Sequence, residues 1–342
     1  MGNNKDKDTD LDFKYLIGFI VLTLICLSAE YALAAGELVV SAKGNETLHF
    51  IGSADFNESD SYEVGGEANW MFHVPGTKDV ITLAPSVNKY HQFNRTTGAL
   101  THKLPVCDIP NAAVTHRNSF TVWVACGLSN QVLAYYLPNF DLATPINLIA
   151  SPRYLSLSTL HKRLLVSFES GNRLAVINTD SQSLDSYLLM PVPVGMAFYG
   201  FDETSVWVTL PSLNQIRQLD ASDFSLIQTV DTGEQMTAAD VSPDGQWLAI
   251  THSGESEVWL VNLDEMQVSK ISADHEMSWP AFSQDSQRLF VAATDDDEMV
   301  VIDVNTQQKL GAIPVAHDPV SRGRFAYRED PFLIFNNGFE GE

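Results

Sequence analysis

Asn172-Arg-Leu-Ala-Val-Ile177 and Asn214-Gln-Ile-Arg-Gln-Leu219 are two copies of one short pattern, in which a polar anchor precedes a run of mostly apolar residues. The pattern occurs seven times, and its anchors are Asn45, Asn88, Asn130, Asn172, Asn214, Ser256 and Asp297. Successive anchors are 41 to 43 residues apart. A nearly constant period of this length is typical of propeller blades, each of which contains four short strands.

The unit around Asp297 shows these four strands most clearly. Its inner, second, third and outer strands are predicted at Trp279–Ser283, Arg288–Ala293, Met299–Asp303 and Lys309–Pro314. In the preceding unit, Ser242-Pro-Asp-Gly245 supplies the turn between the first two strands, because Pro fixes φ and Gly accepts positive φ. β-Branched and aromatic residues alternate along these segments, and no helical period competes with them.

The number of strands predicts how the ring closes. Seven third strands are present, but only six complete inner pairs precede them after residue 66. We therefore expect the C-terminal segments Gly323–Tyr327 and Phe332–Phe335 to pair with N-terminal strands at Thr47–Ile51 and Tyr62–Val64. Glu37–Ser41 is one strand more than this arrangement needs, and the sequence leaves open whether it displaces the Phe332 strand. The expected fold is an all-β, seven-bladed β-propeller with four-stranded blades, closed by pairing of N- and C-terminal strands.

The first 34 residues have the features of an export segment. An apolar run from Tyr15 to Ser28 is shorter than the about 20 residues that span a bilayer, and it fits a signal peptide. Ala32-Leu-Ala34 offers a small-x-small cleavage pattern, so residues 1–34 are assigned to a signal peptide or membrane anchor and residues 35–342 to the propeller. Four aspartates offset the lysines that precede the apolar run, and an uncleaved anchor at residues 15–35 therefore stays open. Either case predicts a periplasmic or extracellular location.

The composition narrows the choice of partner. Lys and Arg total 20 against 43 Asp and Glu, which gives a net charge of -23. A field of that sign repels phosphate backbones and anionic lipid, so nucleic-acid binding is disfavoured and membrane contact is restricted to the N-terminal segment. An acidic surface also serves solubility, and a cationic partner or metal ions are the more specific alternative.

Two stretches resemble the YVTN-type propeller repeat: Val241–His252 with Ser256–Asn262, and Phe290–Thr294 with Val301–Thr306. The chain is thus similar to a superfamily that includes archaeal surface-layer propellers, lactonase-like propellers and the haem-carrying propellers of cytochrome-type nitrite reductases with their biosynthetic relatives. The resemblance covers about residues 37 to 335 and implies the fold, whereas the shared residues form turns and strand cores and do not specify an activity. The sequence has no Cys-x-x-Cys-His, Gly-x-Ser-x-Gly or His-Glu-x-x-His motif.

The candidate site is the mouth of the central channel, which the segments leading into the inner strands line. The side chains there that offer ligand chemistry are Asn69, Trp70, Arg153, His275, Trp279, His317 and Arg322. Arg binds carboxylates through paired N–H groups and neutral His ligates metals, so these residues predict a site for an anionic or metal-bearing ligand such as a carboxylated tetrapyrrole. Ordinary loop side chains and packing tryptophans are the alternatives left open.

Cys107 and Cys126 fall in one predicted hairpin, and their pairing is undecided. If the hairpin turns near Arg117, Cys126 lies opposite about Asn111, four residues from Cys107. A disulfide and two buried thiols both remain open.

Three functions are consistent with these features. The first is an exported binding or accessory module for a protein partner or a small anionic ligand, and it is favoured over an enzyme because the sequence shows no assembled nucleophile, base or metal triad. The second is a tetrapyrrole-binding or maturation protein that uses His275 and His317. The third is a lactonase-like hydrolase in which Glu67, Glu234, Glu276 and Asp318 would hold a divalent metal. The catalytic residues of such an enzyme, and any cofactor, are unknown from sequence.

Overall fold

The structure is a computed structural model that describes residues 37–42, 46–52, 58–66, 70–73, 79–94, 97–115, 120–137, 139–252, 254–283, 285–315 and 326–327. These residues form 29 β-strands and three 3₁₀ helices of three residues each, at Pro85–Val87, Pro211–Leu213 and Thr294–Asp296. No helix within the described ranges is long and apolar enough to cross a bilayer. The predicted export segment lies outside them.

The strands are numbered in chain order, and the first three are β1 (Glu37–Ala42), β2 (Thr47–Gly52) and β3 (Glu58–Glu63). Blade 1 contains β4 (Trp70–His73), β5 (Asp79–Ala84), β6 (Lys89–Asn94) and β7 (Leu100–Pro105). Blade 2 contains β8 (Pro110–Thr115), β9 (Thr121–Cys126), β10 (Gln131–Tyr136), β11 (Asp141–Leu142) and β12 (Ile146–Asn147). Blade 3 contains β13 (Pro152–Ser158), β14 (Arg163–Phe168), β15 (Arg173–Asn178) and β16 (Ser183–Leu189). Blade 4 contains β17 (Ala197–Tyr199), β18 (Ser205–Leu210), β19 (Gln215–Asp220) and β20 (Leu226–Asp231). Blade 5 contains β21 (Met236–Val241), β22 (Trp247–His252), β23 (Glu257–Asn262) and β24 (Gln267–Ser272). Blade 6 contains β25 (Pro280–Phe282), β26 (Arg288–Ala293), β27 (Glu298–Asp303) and β28 (Gln308–Pro314), and β29 (Ala326–Tyr327) follows it.

Each of the six blades is an antiparallel sheet whose strands follow one another in chain order. Blade 2 departs from this only at its outer edge, where β11 and β12 both pair with β10 in place of one outer strand. The chain therefore has an all-β propeller fold with four-stranded antiparallel blades, and the prediction of a propeller is confirmed.

A further sheet combines the two ends of the chain in the order β29-β1-β2-β3. Leu38 and Val39 of β1 pair with Tyr327 and Ala326 of β29. Both edges of β2 are occupied, because it pairs with β1 on one side and with β3 on the other. The predicted pairing of a C-terminal segment with Thr47–Ile51 is therefore wrong, and the C-terminal strand β29 pairs with β1 instead. The additional strand predicted at Glu37–Ser41 occupies the second position of this sheet, and the Phe332 segment lies outside the described residues.

In four of the six blades the polar anchor of the repeat forms a left-handed turn before the third strand. Asn88, Asn130, Asn214 and Asp297 have φ between 53° and 57°, a region that Asn and Asp adopt more readily than most other residues with a side chain. The backbone carbonyl of the anchor accepts an N–H group from the end of the outer strand of the same blade, at 2.8 Å between Asp297 and Val315. Both features explain why the anchor type recurs.

The N-terminal sheet follows the same rule one residue later than predicted. Glu46, rather than Asn45, has the left-handed φ of 54°. Its carbonyl accepts the N–H of Val64 at 2.8 Å, as the anchors of the blades do. With Glu46 as the anchor, the distance to the next anchor, Asn88, becomes 42 residues and matches the distances that follow it.

The core consists of apolar layers between neighbouring sheets. Continuous buried clusters join blades 1 and 2, 2 and 3, 3 and 4, 4 and 5, and 5 and 6. Ile51 of β2 is buried with Phe290 and other residues of blade 6. Tyr62 of β3 lies so close to Gly98 of blade 1 that a Cβ atom on this glycine would clash with the tyrosine ring. The N-terminal sheet thus contacts both blade 6 and blade 1.

Candidate functional site

The inner strands of the blades lie side by side around a common axis. Asn111 Nδ2 at the start of β8 donates to the carbonyl of Pro152 in β13 at 2.8 Å. Tyr199 N in β17 donates to Ser156 Oγ of β13 at 3.0 Å. We call the end at which the inner strands begin the mouth, and the opposite end, where each first strand turns into the second, the turn end.

Three inner strands have a β-bulge at the mouth. The register of β8, β13 and β21 shifts against the second strand of each blade, and the extra residues are Asn111, Arg153 and Thr237. These three residues are separated by one and two repeat periods, so the bulge belongs to the blade design. A bulge bends its strand and redirects side chains, and bulges occur often at the rims of barrels and next to binding sites.

Next to the bulge of blade 3, two aromatic rings meet across the axis. The rings of Tyr154 in β13 and Trp279, which precedes β25, have centroids 6.0 Å apart at an interplanar angle of 57°. Blade 3 and blade 6 are three blades apart in the chain, so these rings do not meet as neighbours at one blade interface. Both side chains are half-buried, which leaves part of each ring accessible at the mouth.

Arg153 places a cation beside this pair. Its guanidinium carbon lies 5.1 Å from the centroid of the Tyr154 ring, within the range of a cation–π contact. Its Nη1 atom lies 3.5 Å from Glu169 Oε1, and the two side chains are 39% and 58% exposed. Because ion pairs this exposed contribute little, an anionic ligand can replace Glu169 at small cost.

The rim of the mouth in blade 2 is held in an unusual backbone conformation. Ile109 has φ of 53°, which is a true outlier for a β-branched residue, and its side chain is exposed. Its N–H donates to Asn88 Oδ1 at 2.9 Å and its carbonyl accepts from Gly127 N at 2.9 Å. Strained residues of this kind persist where surrounding contacts fix them, and they occur often at binding sites.

A disulfide joins Cys107 and Cys126 next to this rim. In the β8–β9 ladder the residue opposite Cys126 is Pro110, one residue closer to Cys107 than expected from sequence, because the bulge at Asn111 shifts the register. The disulfide fixes the loop that leads into β8 to the end of β9.

His275 has carboxylate partners within its own blade. Its Nδ1 atom lies 2.8 Å from Asp296 Oδ2 and its Nε2 atom 3.6 Å from Glu298 Oε2. Beside it, a hydrogen bond from Lys309 holds the pKa of Asp274 below its usual value. Among the described contacts no hydrogen bond or ion pair joins His275 to Arg153. The ring would have to leave one carboxylate before it could ligate a metal.

The remaining predicted site residues are described only in part. Trp70 is the first residue of β4, and the structure describes its backbone but not its side chain. Asn69, His317 and Arg322 lie outside the described residues altogether. Within the described part of the chain, no group of three or more His, Cys, Asp or Glu side chains is arranged to hold a metal ion.

Sequence reasoning selected Arg153 and Trp279 but missed Tyr154 as their partner. In an unbroken strand, neighbouring residues point to opposite faces, so Arg153 and Tyr154 would not be expected to serve one site. The signal that could have revealed the bulge is the repeated position of Asn111, Arg153 and Thr237, each one residue after the start of an inner strand.

Comparisons with known proteins identify the fold. No known family profile matches the chain, and no curated protein sequence matches it. Among solved structures, the chain is similar to a functionally unknown protein from Desulfotomaculum acetoxidans, with a TM-score of 0.69 and 12% identity over 86% of this chain and 99% of the other. It is also similar to a hydrazine synthase chain from Kuenenia stuttgartiensis, with a TM-score of 0.63 and 14% identity over 76% and 92%.

A third similar structure contains a bound ligand. It is the dihydro-heme d1 dehydrogenase NirN in complex with DHE, with a TM-score of 0.66 and 10% identity over 84% of this chain and 65% of that chain. At these identities the similarity establishes the propeller fold alone.

Proposed function

We propose that the chain is an exported, non-catalytic binding module whose mouth holds a small ligand with a flat face and an anionic group. The observation that carries this proposal is the meeting of Tyr154 and Trp279 across the axis, with the guanidinium of Arg153 beside them. Aromatic rings at this angle and distance offer a stacking surface, and Arg binds carboxylates with paired N–H groups. A protein partner could present the same group from a side chain.

The charge of the chain favours a small ligand over a large polyanion. The net charge of -23 opposes the approach of an extended anion. Arg153, whose partner Glu169 is itself exposed, attracts a single carboxylate only at short range. Small size and a local anionic group are therefore the properties that this mouth selects.

A carboxylated tetrapyrrole is the specific ligand class that we put second. It is flat and anionic, and a propeller of similar fold, NirN, has been crystallised in complex with DHE. In this proposal His275 and His317 would be the residues that ligate the metal, and His275 would give up its contact with Asp296 or Glu298 to do so. For the lactonase-like alternative, the described residues offer no observation in its favour: Glu276, for example, accepts a hydrogen bond from Gly254 N at 2.7 Å.

The first test is the absorption spectrum and metal content of the mature domain purified from its native host. A strong visible band supports the tetrapyrrole proposal, and its loss in a His275→Ala, His317→Ala double variant identifies the ligands. Retained pigment in that variant removes both histidines from the proposal.

The second test measures binding of mesoporphyrin, a metal-free flat dicarboxylate, by quenching of tryptophan fluorescence. Arg153→Gln should weaken binding at least about ten-fold, since a hydrogen bond to a charged group contributes about 1.5–3 kcal/mol. Lys162→Gln is the matched control, because Lys162 is an exposed cation of the same blade that pairs with Asp180 at the turn end. Equal effects of both substitutions, or unchanged binding in Tyr154→Ala and Trp279→Ala, would contradict the proposal.

We further propose that the N-terminal sheet completes a closed, seven-bladed ring of the YVTN type. Its support is the pairing of β1 with β29 and the contacts of Ile51 with blade 6 and of Tyr62 with blade 1. Slow hydrogen exchange at Leu38 and Val39, as slow as in the blade cores, is the expected result. Rapid exchange there would indicate an open ring.

Export remains part of the proposal, with the protein periplasmic or extracellular. Sequencing the N-terminus of the protein from its native host tests it. A start at Ala35 or Gly36 indicates a cleaved signal peptide, and an intact N-terminus in the membrane fraction indicates an anchor at residues 15–35.

A further inference from the structure

The disulfide between Cys107 and Cys126 lies beside the contacts that fix the rim of blade 2. Gly127, the residue after Cys126, donates its N–H to the carbonyl of Ile109 at 2.9 Å. Ile109 has a left-handed conformation that a β-branched residue rarely adopts, and such a conformation persists only where the surrounding contacts fix it. The disulfide is the covalent one among these contacts.

Asn111 connects this rim to blade 3. A Cβ atom placed on Gly127 would lie 2.5 Å from Asn111 Nδ2, so the amide of Asn111 packs closely over Gly127. The same nitrogen donates to the carbonyl of Pro152 at 2.8 Å. Pro152 directly precedes Arg153, the bulge residue of blade 3. The Asn111 amide therefore joins the segment that follows the disulfide to the backbone that sets the direction of Arg153.

We propose that the disulfide positions Arg153 through the Asn111 amide, so that its reduction by a dithiol lowers the affinity of the mouth for its ligand. This inference rests on the proposed function, because it concerns the same ligand. Without the disulfide, Ile109 can return to a common backbone conformation, and the Asn111 amide loses the fixed surface on which it packs. The guanidinium of Arg153 then no longer stays beside the aromatic pair.

The reduction is a thiol–disulfide exchange. Cys126 is fully buried, whereas Cys107 is only half-buried at the edge of the core, so a thiolate of the reductant attacks Cys107 Sγ. The S–S bond breaks, and Cys126 Sγ leaves with the electron pair and takes up a proton. The second thiol of the reductant then displaces Cys107 Sγ, which is protonated in turn, and the reductant ends as a disulfide. Two electrons and two protons have passed to the protein.

The first test measures mesoporphyrin binding, by quenching of tryptophan fluorescence, with and without dithiothreitol, and counts the free thiols in each sample. Reduction should weaken binding about three- to ten-fold, the effect of about one hydrogen bond. The Cys107→Ala, Cys126→Ala variant should bind as weakly as the reduced protein and should not respond to dithiothreitol. Equal affinity of the two redox states, or a bond that resists dithiothreitol in the folded protein, would overturn the proposal.

Gly127→Ala disturbs the same connection while the disulfide stays intact. Gly127 does not have a left-handed φ, so alanine fits the backbone, and its methyl group must displace the Asn111 amide. Mesoporphyrin binding should weaken about three- to ten-fold without any reductant. Gly311→Ala is the matched control, because a Cβ atom on Gly311 meets nothing within 4 Å. Equal effects of the two substitutions would contradict a role of Asn111.

A measurement without ligand separates this proposal from the proposed function. The indole N–H resonance of Trp279, assigned with Trp279→Phe in a ¹⁵N-labelled sample, should shift on reduction, because its ring centroid lies 6.0 Å from that of Tyr154. The resonance of Trp247 in blade 5 should stay unchanged. If mesoporphyrin binds neither redox state, the proposed ligand is wrong, and a shift of the Trp279 resonance still supports the connection. An unshifted Trp279 resonance in the reduced protein overturns it.

Discussion

The two ends of the inner strands use their charged groups differently. At the turn end Glu203 is buried, and its carboxylate accepts hydrogen bonds from Ser158 Oγ at 2.5 Å and Leu160 N at 2.8 Å. At the mouth, Arg153 and Glu169 form an ion pair that is largely exposed. The buried carboxylate of Glu203 thus joins blades 3 and 4, whereas the charge of Arg153 at the mouth remains available to a ligand.

Removing the buried carboxylate should have the largest effect. Glu203→Ala leaves the donors of Ser158 and Leu160 without an acceptor and breaks a contact between blades 3 and 4, so we expect a loss of about 3–5 kcal/mol in the free energy of unfolding. Urea denaturation followed by circular dichroism measures it. Mesoporphyrin binding at the mouth of the folded variant should stay unchanged. A loss below about 1 kcal/mol would show that the Glu203 carboxylate does not stabilise the contact between blades 3 and 4.

The disulfide between Cys107 and Cys126, with a sequence separation of 19, links two segments at the mouth. A link that closes a loop of this length contributes about 3 kcal/mol, mainly by restricting the unfolded chain. The Cys107→Ala, Cys126→Ala double variant should therefore lose about this amount, and a reducing agent should destabilise the native protein but not the variant. If the reducing agent also destabilises the variant, its effect does not come from this bond.

A buried histidine in blade 1 makes the stability of the folded chain depend on pH. His91 in blade 1 is fully buried, and both ring nitrogens lack a hydrogen-bond partner among the described residues. Burial lowers the pKa of His91 to about 4, and the charges of Lys103 and Lys89 add to this effect. Between this value and the usual pKa of about 6.5, the unfolded chain binds more protons than the folded one, so stability falls as the pH is lowered.

The expected loss is about 2 kcal/mol between pH 7 and pH 5, measured as the change in free energy of unfolding in urea. His91→Leu should remove most of this dependence, because leucine cannot be protonated. An unchanged pH dependence in His91→Leu would assign the acid sensitivity to other groups.

The fold could be predicted because its determinants are local and repeated. In four blades the anchor, for example Asn88 or Asp297, specifies a left-handed turn of its own blade, and the period of all the anchors predicts the blades. The anchor of the N-terminal sheet was placed at Asn45 instead of Glu46, because glutamate is not a residue type that signals such a turn. The additional strand at Glu37–Ala42 was recognised, but its place depended on a pairing between distant parts of the chain.

The site could be predicted less well because its geometry depends on the bulges and on the positions of blades around the axis. Arg153 and Trp279 were selected from their place before or at the start of an inner strand. Tyr154 is not among the predicted site residues, and in a strand without a bulge it would lie on the face opposite Arg153. His275 and Arg153 both lie in segments that lead into inner strands and are therefore predicted to share the mouth, whereas the structure gives His275 two partners in its own blade, Asp296 and Glu298.

The smallest expected change in stability gives the most direct test of the difference between the ends. Glu169→Gln removes the partner of Arg153, an exposed pair whose loss should change the free energy of unfolding by less than about 1 kcal/mol. Because the guanidinium is then no longer neutralised, mesoporphyrin should bind about two- to five-fold more tightly. Asp180→Asn frees Lys162 at the turn end in the same way and is the matched control, so it should leave mesoporphyrin binding unchanged. If both variants increase the affinity equally, the gain comes from the reduced net charge of the chain. That result would contradict binding of mesoporphyrin beside Arg153 at the mouth.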